Sequence, residues 1–80
     1  MNDNKITADQ CRAARALLGL SQADLADISG VSRVPLANFE AGNSAPYPKT
    51  LDSLKTALEG AGVVFVESNG HGPGVRLRAK

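Results

Sequence analysis

The side chains that could carry catalysis in this 80-residue chain are few and badly placed for it. His71 is the only histidine and lies in the glycine-rich stretch GHGPG. Cys11 is the only cysteine, and neither residue has a base or an orienting carboxylate at a spacing that would build a nucleophile. GHGPG lacks the lysine of a phosphate-binding loop and follows a strand-like segment without opening a helix. A single thiol makes neither an intramolecular disulfide nor a zinc cluster, so Cys11 reads as a small buried hydrophobe, and no metal or other cofactor is expected. These spacings argue against an enzyme.

Charge and hydrogen-bonding chemistry remain. Nine Lys and Arg against eight Asp and Glu give a formal net charge of +1, which is not the basic excess of a protein that holds nucleic acid by bulk attraction. Residues 22–41 carry one cation, Arg33, beside Asp24, Asp27 and Glu40, whereas Arg76, Arg78 and Lys80 crowd the far end. A polyanionic partner would have to be met by placed side chains. The C-terminal cations also suit a charged edge strand that resists aggregation.

Domains commonly hold roughly 100 to 200 residues, so residues 1–80 are taken as a single domain. Hydrophobic residues make up 42% of the chain but only Phe39, Tyr47 and Phe65 are aromatic, so Leu, Val, Ile and Ala must build the core, a composition that favours helices. A core this small leaves a monomer with a stability of about 5 kcal/mol or less, and a homodimer is expected on that ground. No apolar run approaches the roughly 20 residues of a membrane helix, and MNDNKITADQ is not a signal peptide. A cytoplasmic protein without a membrane partner is expected.

Thr7 with Gln10 three residues on has the capping-box form. Residues 1–6 therefore read as an arm, and a first helix covers about 8–18, with Cys11, Ala14 and Leu18 at helical spacing and Gly19 after its last turn. Ser21 and Asp24 open a second helix, about 22–29, that stops at Gly30. Ser32 is the capping candidate for a third, about 33–41. There Pro35 falls in the first turn, where no intrahelical N–H bond is required, and Leu36 and Phe39 share a face. After the turn-forming NSAPYP, residues Leu51, Leu54, Ala57 and Leu58 mark a fourth helix at about 49–60. Residues 63–67 are β-branched and aromatic, 75–78 alternate apolar and basic, and glycines lie between them. That is the pattern of a β-hairpin, which needs helix four or a second protomer to cover it.

Two short helices joined by a three-residue, glycine-containing turn have the geometry of a helix-turn-helix. Ala26 sits where such helices cross, and Val31, Leu36 and Phe39 form the apolar wedge beneath the second. The stretch LLGLSQADLADISGVSRVPLANFEAG at 17–42 contains an LSQ-x-x-LA opening at Leu20, Ser21, Gln22, Leu25 and Ala26, a GVS turn at 30–32, and an FE-x-G ending at Phe39, Glu40 and Gly42. With these motifs it resembles the Cro/C1-type (XRE) helix-turn-helix family of bacterial and phage repressors. The tail GV-x-F…G-x-GVRLR is similar to that of a small stand-alone subgroup. The resemblance implies a mainly α, four-helix lambda-repressor-like DNA-binding domain, here followed by a C-terminal β-hairpin where the family usually has a fifth helix.

It also implies roles by position. Arg15 and Glu40 form a structural ion pair that ties the recognition helix to the scaffold. Ser21 and Gln22 meet phosphates at the start of helix two, although Ser21 serves equally as a plain cap. Arg33 has the planar fork for guanine O6 and N7, Val34 and Pro35 suit thymine methyls, Asn38 suits adenine, and Ser32 reaches a phosphate. Asn43, Ser44 and Lys49 meet the backbone beyond the groove. Tyr47 either joins them or packs between the two prolines and the core. Asp24 and Asp27 lie near where some relatives present acidic residues to RNA polymerase, and a solvated acidic face is the simpler alternative. With helix five replaced, Val64, Val66, Val75 and Leu77 of the hairpin are expected to carry dimerisation.

The implied function is a transcriptional regulator that binds double-stranded operator DNA with inverted-repeat half-sites as a twofold dimer, as small switch proteins of phages and conjugative elements do. It would repress by occlusion at the bacterial nucleoid, with activation through RNA polymerase as a further possibility. The alternative is an antitoxin or other protein-interaction module whose DNA binding is secondary.

Overall fold

A computed structural model of the chain describes residues 5–67 and 70–78, so Lys80 lies outside the described residues. Four helices come first, α1 (Ala8–Leu18), α2 (Gln22–Ser29), α3 (Arg33–Glu40) and α4 (Pro48–Ala61). A two-stranded antiparallel hairpin of β1 (Val63–Val66) and β2 (Gly74–Leu77) follows. The fold is mainly helical and hairpin-ended, as the residue patterns indicated. Among the described residues no helix is long and apolar enough to cross a membrane.

Local chemistry explains the helix boundaries. The Thr7 hydroxyl accepts the Gln10 N–H at 3.0 Å while Gln10 Oε1 accepts the Thr7 N–H at 2.9 Å, a complete capping box. Ser21 and Asp24 repeat the device on α2, at 3.0 Å in both directions. Gly30 ends α2 at φ 75°, where an added Cβ would meet no atom, so the demand for glycine there comes from the backbone and not from space. α3 departs from the pattern. Ser32 is its N-cap residue but makes no side-chain cap bond, which corrects its reading as a capping serine. In α1 and α2 the hydroxyl takes the N–H of the third helical residue. In α3 that residue is Pro35, which has no N–H to give. α4 starts at Pro48, a residue earlier than the leucine spacing suggests, because a proline's fixed φ and missing N–H suit a first helical position.

Cys11 and Ala14 of α1, Leu25 of α2, Leu36 of α3, and Leu54 and Leu58 of α4 are fully buried around one centre. Ile6 belongs to it as well, at 5% exposure, so the arm ends before residue 6. Ile6 precedes the cap Thr7, the position from which a hydrophobic staple reaches the fourth helical residue, here the buried Cys11.

In the hairpin Val63 pairs with Leu77, Val64 with Arg76, Phe65 with Val75, and Val66 with Gly74. Paired residues share a face, so Val63, Phe65, Val75 and Leu77 lie on one side and Val64, Val66 and Arg76 on the other. Val63 is fully buried, and Phe65 and Val75 pack against the core. Of the four residues expected to carry dimerisation, Val64, Val66, Val75 and Leu77, the pairing puts two on each face of the hairpin. Val75 turns inward, Leu77 sits 53% exposed at the end of that same inward face, and Val64 and Val66 point away.

Gln10 fastens the hairpin to α1. Its Nε2 donates to the carbonyls of Gly74 at 2.8 Å and Val66 at 3.3 Å while its Oε1 caps the helix, so both the nitrogen and the oxygen of this 6%-exposed residue are engaged. Gln10→Leu keeps the volume but strips these partners. It should cost about 2 kcal/mol, read as a lower urea midpoint at unchanged slope.

Candidate nucleic-acid interface

α2 and α3 are joined by a turn in which the Gly30 N–H donates to the Ala26 carbonyl at 2.9 Å and the Val31 N–H donates to Ser29 Oγ at 3.1 Å. Val31 is buried against the core while Ser32 is exposed, so the chain enters α3 with its apolar side down. Leu36 and Phe39 continue that side, and Ala26 packs beside them from α2.

Glu40, the last residue of α3, is 2% exposed, and its carboxylate accepts four hydrogen bonds. Arg15 gives two, Nε to Oε2 at 2.8 Å and Nη2 to Oε1 at 2.6 Å. Gln22 Nε2 donates to Oε1 at 2.9 Å and the Cys11 thiol donates to Oε2 at 3.1 Å. Arg12 donates to the backbone carbonyl of Glu40, and Arg15 Nη1 reaches the Leu20 carbonyl at 3.1 Å. Burial pushes the Glu40 carboxyl up, but the bonds from Arg15, Gln22 and Cys11 together with the Arg15 charge outweigh it and hold the carboxyl below the usual range. The bond to Glu40 in turn raises Arg15.

Burial, reinforced by the bond to Glu40, drives the Cys11 thiol far above the ordinary range, so the group is a hydrogen-bond donor and a poor nucleophile. A thiol reagent at about pH 8 should therefore leave the native protein unmodified over a period in which the urea-unfolded chain reacts completely. Fast labelling of the native form would contradict the buried thiol. Sequence reasoning missed Cys11, Arg12 and Gln10 as polar partners. The available signal was the spacing of Cys11, Arg12 and Arg15, which puts them along adjoining lines of α1.

The other end of α3 is open. Arg33, Val34, Pro35 and Asn38 are exposed, Val34 by 71%. Val34 and Asn38, four residues apart, lie on the side opposite Leu36 and Glu40. Arg33 makes no hydrogen bond or ion pair among the described residues and lines, with Val34 and Asp27, a groove of about 650 Å³. Ser32, Pro35, Tyr47 and Lys49 come together around a second cleft of about 640 Å³ between the turn and the start of α4. Tyr47 is 83% exposed, which overturns its packing against the core. Asn43 and Ser44 are exposed in the connection to α4, where the Asn43 N–H donates to the Asn38 carbonyl at 2.9 Å.

Ser21 and Gln22 stand apart from both clefts, at the start of α2. Ser21's N–H and hydroxyl are bonded to Asp24, whose carboxyl they hold below its usual value. The first-turn amides not used in that capping box belong to Gln22 and Ala23.

A short exposed helix, locked to its scaffold at one end and joined to its predecessor by a glycine-opened turn, defines a helix-turn-helix domain. The sequence model of the helix-turn-helix family matches residues 12–59, from within α1 to within α4. The chain belongs to that family, in its XRE type, a class of DNA-binding regulators of transcription. The matched span stops short of the hairpin. No curated protein matches the chain.

Proposed function

We propose that the protein is a sequence-specific regulator that lays α3 in the major groove and represses transcription by occupying an inverted-repeat operator as a twofold dimer. The contrast along α3 carries this reading: four hydrogen bonds hold the Glu40 carboxylate, while the Arg33 end offers a guanidinium with no partner among the described residues, beside exposed Val34 and Pro35. Arg33 matches guanine, Val34 and Pro35 match thymine methyls, and Asn38 matches adenine. Ser21, Gln22, Ser32, Asn43, Ser44 and Lys49 contact phosphates and set the register. The Ser32 hydroxyl, released from capping by Pro35, is the neutral donor at the head of α3. The chain works as one domain on nucleoid DNA in the cytoplasm.

The dimer forms through the hairpin, with Val64 and Val66 on its outward face and the exposed Leu77 at the end of the other face. Val66→Lys should convert a sedimenting dimer to monomer with helix content unchanged, and an unshifted dimer would remove the hairpin from the interface. The function is tested by gel shift on the DNA upstream of the protein's own coding region, at two salt concentrations. A retarded band at nanomolar protein that weakens with salt supports it. If that band is absent, and selection from genomic fragments also enriches no site, the reading is rejected.

A further inference from the structure

We propose that the outer edge of β1 receives a second copy of this chain, the two β1 strands pairing antiparallel about a twofold axis at Val64. This rests on the reading of the protein as a dimer held by its hairpin. The Arg78 N–H donates to the Gly62 carbonyl at 2.8 Å, and these two residues continue the register that pairs Val63 with Leu77. Hydrogen-bonded and non-hydrogen-bonded pairs alternate along an antiparallel ladder, so Val64 with Arg76 and Val66 with Gly74 are the bonded pairs. The backbone N–H and C=O groups of Val63 and Phe65 therefore point out of the β1 edge, and those of Val75 and Leu77 out of the β2 edge. No hydrogen bond from another element reaches them among the described residues.

The two edges differ in what a twofold axis brings together. On β1, Val63 bonds with the second copy's Phe65 and Phe65 with its Val63, which leaves Val64 opposite the second copy's Val64. That central pair is non-hydrogen-bonded, the kind in which Cα atoms approach to about 4.5 Å and side chains touch. Val66 falls diagonal to the second copy's Val64, so the half-buried outward valines form one apolar strip across the axis. An axis at Phe65 would instead set the charged Glu67 beside the fully buried Val63 of the second copy. The β2 edge is blocked in each register. An axis at Arg76 or at Leu77 puts Arg76 opposite Arg76 or Arg78, and like charges directly opposite are destabilising. An axis at Val75 asks for a bond from Pro73, which has no N–H. Cations and a proline are the usual means of keeping an edge strand unpaired, and VVFV of β1 has neither. Pairing β1 with β2 has no twofold axis, leaves an edge open at each end and grows a filament. The closed form is a four-stranded sheet in the order β2, β1, β1, β2. Only Gly62 separates β1 from α4, so this sheet couples each helical body to the axis.

Amide exchange in the wild type reads the edge. In the dimer the Val63 and Phe65 amides should exchange about tenfold or more slowly than in the same protein diluted to monomer, while Val75 and Leu77 keep their rates. Cysteine substitution reads the register. With oxidised glutathione, Val64→Cys should form a covalent dimer, because facing Cα atoms at about 4.5 Å suit a disulfide. Val66→Cys should not, since the two positions lie more than about 13 Å apart along the strands, and neither should Arg76→Cys, whose positions are separated by both β1 strands. The native Cys11 is buried and does not compete. A dimer that leaves Val63 and Phe65 unslowed, or in which Val64→Cys stays unlinked, overturns the β1 pairing while the dimer itself stands. A wild type that sediments as a monomer at every concentration overturns the dimer reading, and this proposal with it.

Discussion

Arg15→Ala is expected to unfold the protein at neutral pH or bring it close to unfolding. The substitution leaves Glu40, 2% exposed, with Gln22 and Cys11 as its side-chain donors and no cation on its carboxylate. Removing one partner of a buried pair typically costs about 3 to 5 kcal/mol because the other charge stays behind. A domain of this size has about 5 kcal/mol or less to lose, so the urea transition should disappear or start near zero denaturant. Replacing both residues by methionine should recover most of the loss, since an apolar pair of similar volume carries no desolvation penalty. A double variant as unstable as the single one would mean that lost packing, and not stranded charge, is the cause.

The pH dependence of the same variants carries a sign. In the wild type the folded Glu40 carboxyl lies below its unfolded value, so its contribution is fully present above the ordinary glutamate range, about pH 4.3, and is lost as the pH falls through the folded value. In Arg15→Ala burial is expected to outweigh the remaining bonds from Gln22 and Cys11 and to raise the folded value above the unfolded one. The variant should then recover stability relative to wild type on acidification, which urea titrations at neutral and acid pH would read directly.

What could be read from the residues divides by range. Both capping boxes join residues three apart, and the turn glycines answer a local backbone demand, so they were visible in the chain itself. Pro35 was rightly placed in a first helical turn. Its effect on Ser32 needed the further step of counting which N–H a capping hydroxyl takes. The alternation of the two strands was plain, but their inward face depends on register, and register depends on a glycine-rich connection that periodicity does not specify. Gln10 is the extreme case, because its partner Gly74 lies 64 residues away and nothing in a helix-forming glutamine announces it. The Arg15–Glu40 pair came only through the family resemblance, and Cys11 and Gln22 joined it only once three helices were in place.

Arg33→Ala is expected to leave the fold intact and remove discrimination between the operator and unrelated DNA. Arg33 is exposed, forms no bond among the described residues and contributes nothing to the core, so its loss should change stability by no more than about 0.5 kcal/mol. A bidentate arginine to guanine contributes about 1 to 3 kcal/mol of discrimination at its base pair, a factor of about 5 to 150 in the ratio of dissociation constants. The decisive comparison is Arg33→Lys, which keeps the charge and loses the fork. If Arg33 reads a base, the lysine variant should retain salt-dependent affinity for any duplex while its operator preference drops to that of the alanine variant. If Arg33 only meets phosphate, the lysine variant should match the wild type on both DNAs and the alanine variant should weaken both equally. Measuring Kd for operator and scrambled duplex at one fixed salt concentration separates the two, because a base reader changes the ratio and a phosphate contact changes the common affinity.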